Sequence, residues 1–399
     1  MEVEDAGKSI CFFASHGCQV PDDFSNVASA FRSLRNTCAV ASFDVDTQIS
    51  FDVLSSTLSL LSSWLSDNSE QSTCLRCGLQ LLGNAASAST TIGQWLWDRT
   101  CSTDLWLRFL NCPDPKAVTY ASMVFYNCFK LAPHRLSDQK GIFECTVQLL
   151  VQSDCVDWHI LNVELFLTET NVLEEWLPVQ DDVLLSVVCD HLSDALGSRT
   201  VSHRNVRSVA VEFCTRLKAV DNHGLSVDSV GQKLLSFMAD ATAFPAYTSV
   251  LDSLARHILQ IATGILVQFR RSHKLKEMKP INETVVSPVY EVQRDLLRVM
   301  GNMCFEHRDN QLILQELEGI AVVLDCTVPD SELPFLTQWA IMAVRNLCDK
   351  CAENQGALFS IINQAPATVI DRDRLLRQMG MRVEIDSLTG QLELVKLDA

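Results

Sequence analysis

The chain has 399 residues, of which 47% are hydrophobic and 20% charged, and this composition excludes an intrinsically disordered chain. Its 15 glycines and 11 prolines are too few for an all-β sandwich, which needs a turn about every ten residues. The formal net charge of −17 repels phosphate backbones, so we expect no nucleic-acid partner.

The amino terminus, Met1-Glu-Val-Glu-Asp, is acidic, which disfavours a secretory signal. The best membrane candidate, residues 258–269, is shorter than the ~18 apolar residues that a span requires, so we predict none. The 16 cysteines are scattered singly through apolar stretches, a pattern typical of reduced, buried thiols. These features predict a cytosolic protein.

Four segments share one pattern, an amphipathic helix that ends near an asparagine. They read Cys74-LRCGLQLLGNAA, Tyr120-ASMVFYNCF, Arg294-DLLRVMGNMCF and Thr337-QWAIMAVRNLC. Asn84 and Asn127 are 43 residues apart, and Asn302 and Asn346 are 44 apart. This is the armadillo and HEAT period, and we predict three short helices in each repeat. The fold expected is an armadillo-like α-solenoid, a right-handed superhelix of stacked helical repeats. The alternative is an irregular helical bundle with two coincidental similarities.

Between these pairs the chain stays helical but less regular. Apolar residues three and four apart predict helices over residues 183–196, 206–217 and 230–238. The polar stretch 270–288 predicts a charged linker or loop, since Pro280 and Pro288 stand near its end. We therefore divide the chain into an N-terminal array over 1–269, the linker, and a C-terminal block over 289–399.

The tail departs from the helical pattern. Val383 and Ile385 precede a glycine-containing loop, and Leu392 and Leu394 follow it, with polar residues in alternation. This pattern predicts a small β-hairpin, which must pack on the last helices because an isolated hairpin is marginally stable.

No motif predicts a reaction, a cofactor or a metal site. Gly7-Lys-Ser lacks the earlier glycine and the preceding strand of a phosphate-binding loop. Cys74 with Cys77, and Cys348 with Cys351, lack the further ligands that zinc needs. The nine histidines form no metalloprotease motif or triad.

The basic run over residues 270–279 contains arginines and lysines without interleaved aromatic residues. It is interpreted mainly as a solvated loop, and a nuclear-import tag or a docking site for an acidic partner is the alternative. Single-stranded nucleic acid is not expected there, because stacking platforms are missing.

The asparagines are the candidate binding feature. In an armadillo array they line a groove, where their amides can bond the backbone of an extended peptide. Equally, each can satisfy the backbone of a neighbouring repeat. The positions four residues earlier hold Gln80, Met123, Arg298 and Met342, so no tryptophan ladder is expected, and Arg298 would repel a basic peptide. The predicted groove residues are Asn84, Asn127, Arg298, Asn302, Met342, Arg345 and Asn346.

The block over about 293–397 resembles the C-terminal domain of the ataxin-10 family. The residues that carry the resemblance are Arg294-DLLRVMGNMCFEHRDNQ, Leu317-EGIAVVLD, Pro334-FLTQWAIMAVRNL, Glu353-NQ, Leu375-LRQMGMRVEI and Gly390-QLEL. The resemblance implies a non-catalytic, cytoplasmic armadillo-like scaffold linked to cytokinesis, signalling and neurite growth. Implied locations include the perinuclear region, the centrosome or basal body, and the midbody. Implied partners are an O-linked N-acetylglucosamine transferase and cell-division factors, and self-association is implied too.

Two functions are therefore expected from this sequence. The first is a protein–protein interaction scaffold. The alternative is an armadillo-type transport adaptor that binds extended peptides through the same groove.

Overall fold

The computed structural model describes residues 2–40, 44–64, 69–152, 157–177, 181–198, 200–217, 227–276, 288–328, 333, 335–364, 377, 381–385 and 392–396. The described residues are mostly helical, and they divide into two compact units. Unit 1 comprises Met1–His191 with Arg199–Ser202, and unit 2 comprises Leu192–Ser198 with His203–Ala399. The predicted all-α class is confirmed.

Among the described residues, twelve α-helices begin in unit 1. They are α1 Val3–His16, α2 Pro21–Cys38, α3 Val45–Gln48, α4 Phe51–Ser63, α5 Ser69–Ala88, α6 Thr90–Thr100, α7 Leu105–Leu110, α8 Pro115–Phe129, α9 Gln139–Gln152, α10 Asp157–Glu169, α11 Leu173–Trp176 and α12 Asp182–Ser198. Along this unit α2 packs on α5, α5 on α8, and α8 on α10.

Nine further α-helices lie in the described part of unit 2. They are α13 His203–Leu217, α14 Ser229–Ala241, α15 Pro245–Leu251, α16 Ala255–Lys276, α17 Pro288–Cys304, α18 Arg308–Glu316, α19 Gly319–Asp325, α20 Leu336–Cys348 and α21 Ala352–Gln364. Here α14 packs on α17, and α17 packs on α20. Helices α18, α19 and α20 fill the interval between Asn302 and Asn346, which confirms the three helices predicted for that period.

Local sequence explains where several helices begin. Asp114 accepts a hydrogen bond from the Lys116 backbone N–H, and Pro115 supplies the first residue of α8. Asp228 accepts from the Gly231 N–H in the same way at the start of α14. Such side chains satisfy amides that have no partner within the helix, and proline at the first position loses no bond.

A cluster of aromatic rings lies at the centre of the core of unit 1. The Phe125 ring lies 5.2 Å from the Trp106 ring, 5.0 Å from Phe129 and 6.1 Å from Phe166, measured between centroids. Trp97 is also fully buried, and its indole N–H donates to the Ala132 carbonyl at 2.9 Å. These contacts tie α6, α7, α8 and α10 into one core.

The predicted linker over 270–288 is wrong over its first part. Helix α16 runs on to Lys276, and the Arg270 guanidinium bonds both the Asp325 carboxylate, at 3.0 Å, and the Asp325 carbonyl, at 3.2 Å. Arginine and lysine are good helix formers, so a basic run extends a helix whose apolar face is already anchored. Residues 277–287, including the rest of the basic run, lie outside the described residues.

The boundary between the units also differs from the predicted one. It falls near residue 200, whereas α16 packs directly on α17, α18 and α19. The two arrays predicted on either side of 270–288 therefore do not correspond to separate compact units, because α16 belongs to the core of the C-terminal block.

One stretch within the described residues, Pro245–Ser272, is long and apolar enough to cross a membrane by length and composition alone. Ile258, Leu259 and Leu266 in this stretch are buried within unit 2. A core helix buried by its neighbours meets the same criterion.

The tail forms the predicted hairpin. Strand β1, Met381–Ile385, pairs antiparallel with β2, Leu392–Lys396, and Val383 stands opposite Leu394. The connecting loop, and the packing expected on the last helices, lie outside the described residues.

Candidate functional site: the asparagine ladder

The predicted asparagines lie at equivalent points of successive packed helices. We call α2, α5, α8 and α10 in unit 1, and α14, α17 and α20 in unit 2, the ladder helices. Each side-chain amide donates to a backbone carbonyl of the preceding ladder helix. The pairs are Asn84 to Arg35 at 3.3 Å, Asn127 to Gly83 at 3.2 Å, Asn302 to Ala239 at 3.2 Å and Asn346 to Gly301 at 3.0 Å.

Two of the accepting residues occupy the same position in their helices. Gly83 immediately precedes Asn84, and Gly301 immediately precedes Asn302, so Asn127 and Asn346 each reach the residue before the asparagine of the preceding ladder helix. Of the two roles left open by the sequence, the structure therefore shows the amide bonded to the neighbouring repeat. A direct role in peptide binding stays a prediction.

Arg298 is not the free cation that the sequence suggested. Its guanidinium bonds Asp240 on α14 at 2.7 Å and Asp295 on its own helix at 3.1 Å. It also lies over the Trp339 ring of α20, 5.6 Å from the centroid. Arg298 therefore connects three ladder helices. Only 20% of its side chain is exposed, and a charge so far removed from water needs the two carboxylates that balance it.

The positions four residues before the other asparagines differ from one another. Gln80 accepts a 2.5 Å hydrogen bond from Arg35, which adds a second tie between α2 and α5. Met123 is half-buried, whereas Met342 is 56% exposed. Of these residues, Met342 is therefore the most available for a partner.

Sequence reasoning missed two neighbours of Met342. Phe335 is 61% exposed and Trp339 is half-buried, and both lie on the same side of α20 as Met342 because residues four and seven apart share a helix face. Arg345 is exposed beside them. The spacing of three apolar residues could have revealed this strip, but the same spacing also describes the buried face of any helix.

One tryptophan stands four residues before an asparagine that is not among the four predicted ones. Trp158 stands four residues before Asn162, whose amide donates to the Ser122 carbonyl at 3.0 Å. The Trp158 ring lies 5.8 Å from Tyr126, and Lys130 lies over the Tyr126 ring. Asn162 itself is 1% exposed, so its amide is not presented to a ligand.

A buried serine and histidine join α8 to α10. Ser122 Oγ lies 3.0 Å from His159 Nδ1, and both residues are almost fully buried. A nucleophile needs access to a substrate, so this pair is a structural contact between helices. Burial lowers the pKa of His159, because an uncompensated charge is costly away from water.

The stability of unit 1 is therefore expected to fall as the pH drops below about 6.5, the unfolded pKa of histidine. Above that pH, His159 is neutral in both the folded and the unfolded protein. Below it, the unfolded protein binds a proton at His159 before the folded protein does, so unfolding becomes more favourable. The loss is at most about 1.4 kcal/mol per pH unit for one proton. Denaturant titrations between about pH 7 and pH 5 should show a shallower fall in His159→Gln. The exposed His134→Gln is the control, and an equal slope in the His159→Gln variant would contradict the assignment.

The described cysteines are buried or half-buried thiols. Burial raises the pKa of Cys74, Cys128 and Cys348 each to about 12. A thiol that ionises so weakly is a poor nucleophile and a poor metal ligand. Among the described residues, no three histidine, cysteine or acidic side chains are grouped to hold a metal.

Thiol labelling should follow this burial. At about pH 8, a maleimide is expected to modify the half-buried Cys11 well before Cys128 and Cys348, since the last two are buried. Peptide mapping by mass spectrometry after timed labelling measures the order. All three should react quickly in denaturant, and rapid native labelling of Cys128 would refute the predicted burial.

Residues 292–395 match the family model described as the spinocerebellar ataxia type 10 protein domain, close to the predicted 293–397. Ataxin-10 from Macaca fascicularis is 26% identical over 92% of this chain and 83% of its own. Ataxin-10 from Homo sapiens is 25% identical over the same shares. The homolog from Dictyostelium discoideum is 32% identical over 21% of this chain and 14% of its own. The predicted resemblance is confirmed.

Two solved structures are similar at low sequence identity. A designed armadillo repeat protein has a TM-score of 0.31 at 12% identity, covering 72% of this chain and 98% of its own. A further engineered protein has a TM-score of 0.37 at 14% identity, covering 95% and 97%.

Proposed function

Because the chain carries the C-terminal domain of the ataxin-10 family, we propose that it is a non-catalytic scaffold that binds other proteins through its ladder helices. The observation that carries the proposal is the exposed side of α20. Phe335 and Met342 are each more than half exposed there. The Asn346 amide on the same helix instead donates to the Gly301 carbonyl of the preceding ladder helix. Clustered exposed apolar side chains mark protein-binding surfaces.

The test is affinity purification with the full-length chain, followed by quantitative mass spectrometry. Met342→Glu places a charge in the exposed apolar cluster, and we expect it to deplete a defined set of partners by at least ~10-fold. Val211→Glu is the matched control, because Val211 is an exposed apolar residue, 41% accessible, on α13 of the same unit. Circular dichroism confirms that both variants fold.

The proposal fails if the wild-type chain recovers no protein above the background of the matrix. It fails equally if Met342→Glu and Val211→Glu deplete the same partners to the same extent. Arg298 is unsuitable for this test, because its bonds to Asp240 and Asp295 make any loss of binding inseparable from a loss of packing.

The alternative is a transport adaptor for extended peptides. The feature that favours it is Trp158, which stands four residues before Asn162, although the Asn162 amide itself is buried. Against it, the Asn302 amide donates to both Ala239 and Thr242, so its donors are already used. We expect negligible binding of basic extended peptides in fluorescence anisotropy. Micromolar binding that is lost in Trp158→Ala would favour the adaptor.

We extend the proposal to the cellular role that the family resemblance implies. The scaffold would act in the cytoplasm in cytokinesis, cytoskeletal organisation or signalling, with an O-linked N-acetylglucosamine transferase and cell-division factors among its partners, and it would self-associate. Live imaging of the tagged full chain through division tests the location. Uniform distribution with no enrichment at the centrosome, basal body or midbody would contradict this role.

A further inference from the structure

The exposed side of α20 forms one continuous strip. Phe335, just before the helix, and Trp339 and Met342 within it are separated by four and then three residues, so they project from a single side. Asn346 continues the same line. At about 1.5 Å of rise per residue, the strip from Phe335 to Asn346 is about 16 Å long, or three turns of helix.

The charge beside this strip is opposite to that of the chain. Arg345 is the one charged residue in the sequence of α20, and it is exposed, whereas the whole chain carries −17. Arg345 also lies in the last turn of α20, where the helix dipole stabilises a positive charge. The strip is therefore apolar with a local cationic flank, and at contact distance that flank favours a carboxylate of the partner although the chain as a whole is acidic.

The asparagine side-chain amides beside the strip already donate to neighbouring helices, which favours a helical partner over an extended one. The Asn346 amide donates to Gly301, and the Asn302 amide donates to Ala239 and Thr242. An extended peptide needs such groups to satisfy its own backbone, whereas a helix satisfies its backbone internally and needs only side-chain contacts.

We propose that the α20 strip of Phe335, Trp339 and Met342, with Arg345 on its flank, binds an acidic amphipathic helix of a partner protein. This inference rests on the proposed scaffold function and names the class of partner. The partner helix presents apolar side chains at three positions spaced four and three apart, matching the three turns of the strip, with carboxylates on the side that meets Arg345.

The contact of Arg298 with the Trp339 ring restrains the central side chain of the strip before a partner binds. Arg298 is held by Asp240 and Asp295, so the Trp339 ring lies against a cation whose own position is fixed. A ring that is already restrained loses less conformational freedom when a ligand covers it. Trp339 is therefore the central anchor, with Phe335 and Met342 on either side.

The experiment measures binding of three synthetic peptide pools to the full-length chain by fluorescence anisotropy. One pool has leucine or phenylalanine at the three apolar positions and glutamate elsewhere. The second replaces glutamate by lysine, and the third keeps glutamate but has two interior prolines, which prevent a helix. We expect the acidic helical pool to bind at least ~10-fold more tightly than either of the others.

Variants connect this binding to the strip. Met342→Glu is expected to weaken binding of the acidic helical pool by at least ~10-fold. Arg345→Glu should weaken it several-fold, with Arg345→Lys close to wild type, because an exposed ion pair depends mainly on the sign of the charge. Val211→Glu should leave binding unchanged, and added salt should reduce the contribution of Arg345.

Each of the following results would overturn the inference. Tighter binding of the lysine pool would reverse the assigned charge, and equal binding of the proline pool would indicate an extended ligand. Absence of saturable binding, or binding that survives Met342→Glu, would place the partner elsewhere. The remaining alternative is that a second copy of this chain occupies the strip. Sedimentation velocity tests it, because self-association would then be lost in Met342→Glu.

These outcomes are separable from failure of the scaffold proposal. If affinity purification recovers partners that require Met342 while the acidic helical pool does not bind, the scaffold function stands and only the assigned partner class is wrong.

Discussion

Gly301→Val is expected to destabilise unit 2 by about 3 kcal/mol, within the upper range for overpacked interiors. A side-chain carbon at this position would lie 3.1 Å from the Ala343 Cα and 3.2 Å from its Cβ, so α17 and α20 would have to separate. Separation would also stretch the bond from Asn346 to the Gly301 carbonyl. Chemical denaturation gives the free energy of unfolding, and hydrogen exchange shows whether protection falls first in α17 and α20.

A second glycine supplies the control. Gly264 is exposed in the middle of α16, and a Cβ there would meet nothing within 4 Å. Gly264→Ala should therefore stabilise the protein by about 0.5–1 kcal/mol through helix propensity alone. If Gly301→Val were as stable as wild type, the close approach of the two ladder helices would be disproved.

Phe125→Ala is expected to destabilise unit 1 by about 3–5 kcal/mol, the usual cost of removing a fully buried aromatic ring. Its ring contacts those of Trp106, Phe129 and Phe166, so the cavity would open at the centre of the aromatic core. The rigid rings around the cavity cannot collapse to fill it, which places the cost at the high end.

Tryptophan fluorescence is a suitable probe of this change, because six of the seven tryptophans lie in unit 1. The denaturation midpoint of that signal should fall sharply in Phe125→Ala. Phe12→Ala should change it little, since Phe12 is 55% exposed and packs mainly against His16 on its own helix. Equal effects from the two substitutions would mean that the core lies elsewhere.

The helical repeats and the terminal hairpin could be predicted because each depends on local pattern. The paired asparagines mark two repeats at near-equal spacing, and alternation around the 386–391 loop marks two strands. The end of α16 could not be found in this way. A basic run is equally compatible with a loop and a helix, and the choice is made by Arg270 meeting Asp325, 55 residues away.

The sequence indicated where the candidate residues lie along their helices, but not whether their side chains are exposed or paired. The sequence identified Arg298 and Met342 at equivalent points, four residues before an asparagine. It could not distinguish them, because Arg298 is neutralised by Asp240, which lies 58 residues earlier, whereas Met342 remains exposed. Exposure depends on which helices become neighbours, and that information is distributed over the whole repeat.

The ladder bonds also bear on how repeats of this kind change length. The asparagines reach back over 49, 44, 63 and 45 residues, yet each meets a carbonyl of the preceding ladder helix. Residues can therefore be added or lost between ladder helices without disturbing these asparagine–carbonyl hydrogen bonds, which we call rungs. One residue inserted within a ladder helix would instead rotate its asparagine by about 100° relative to the buried face and break the bond. Each rung thus fixes the rotational phase of its helix and leaves the length of the connection free, so insertions are expected between ladder helices and not inside them.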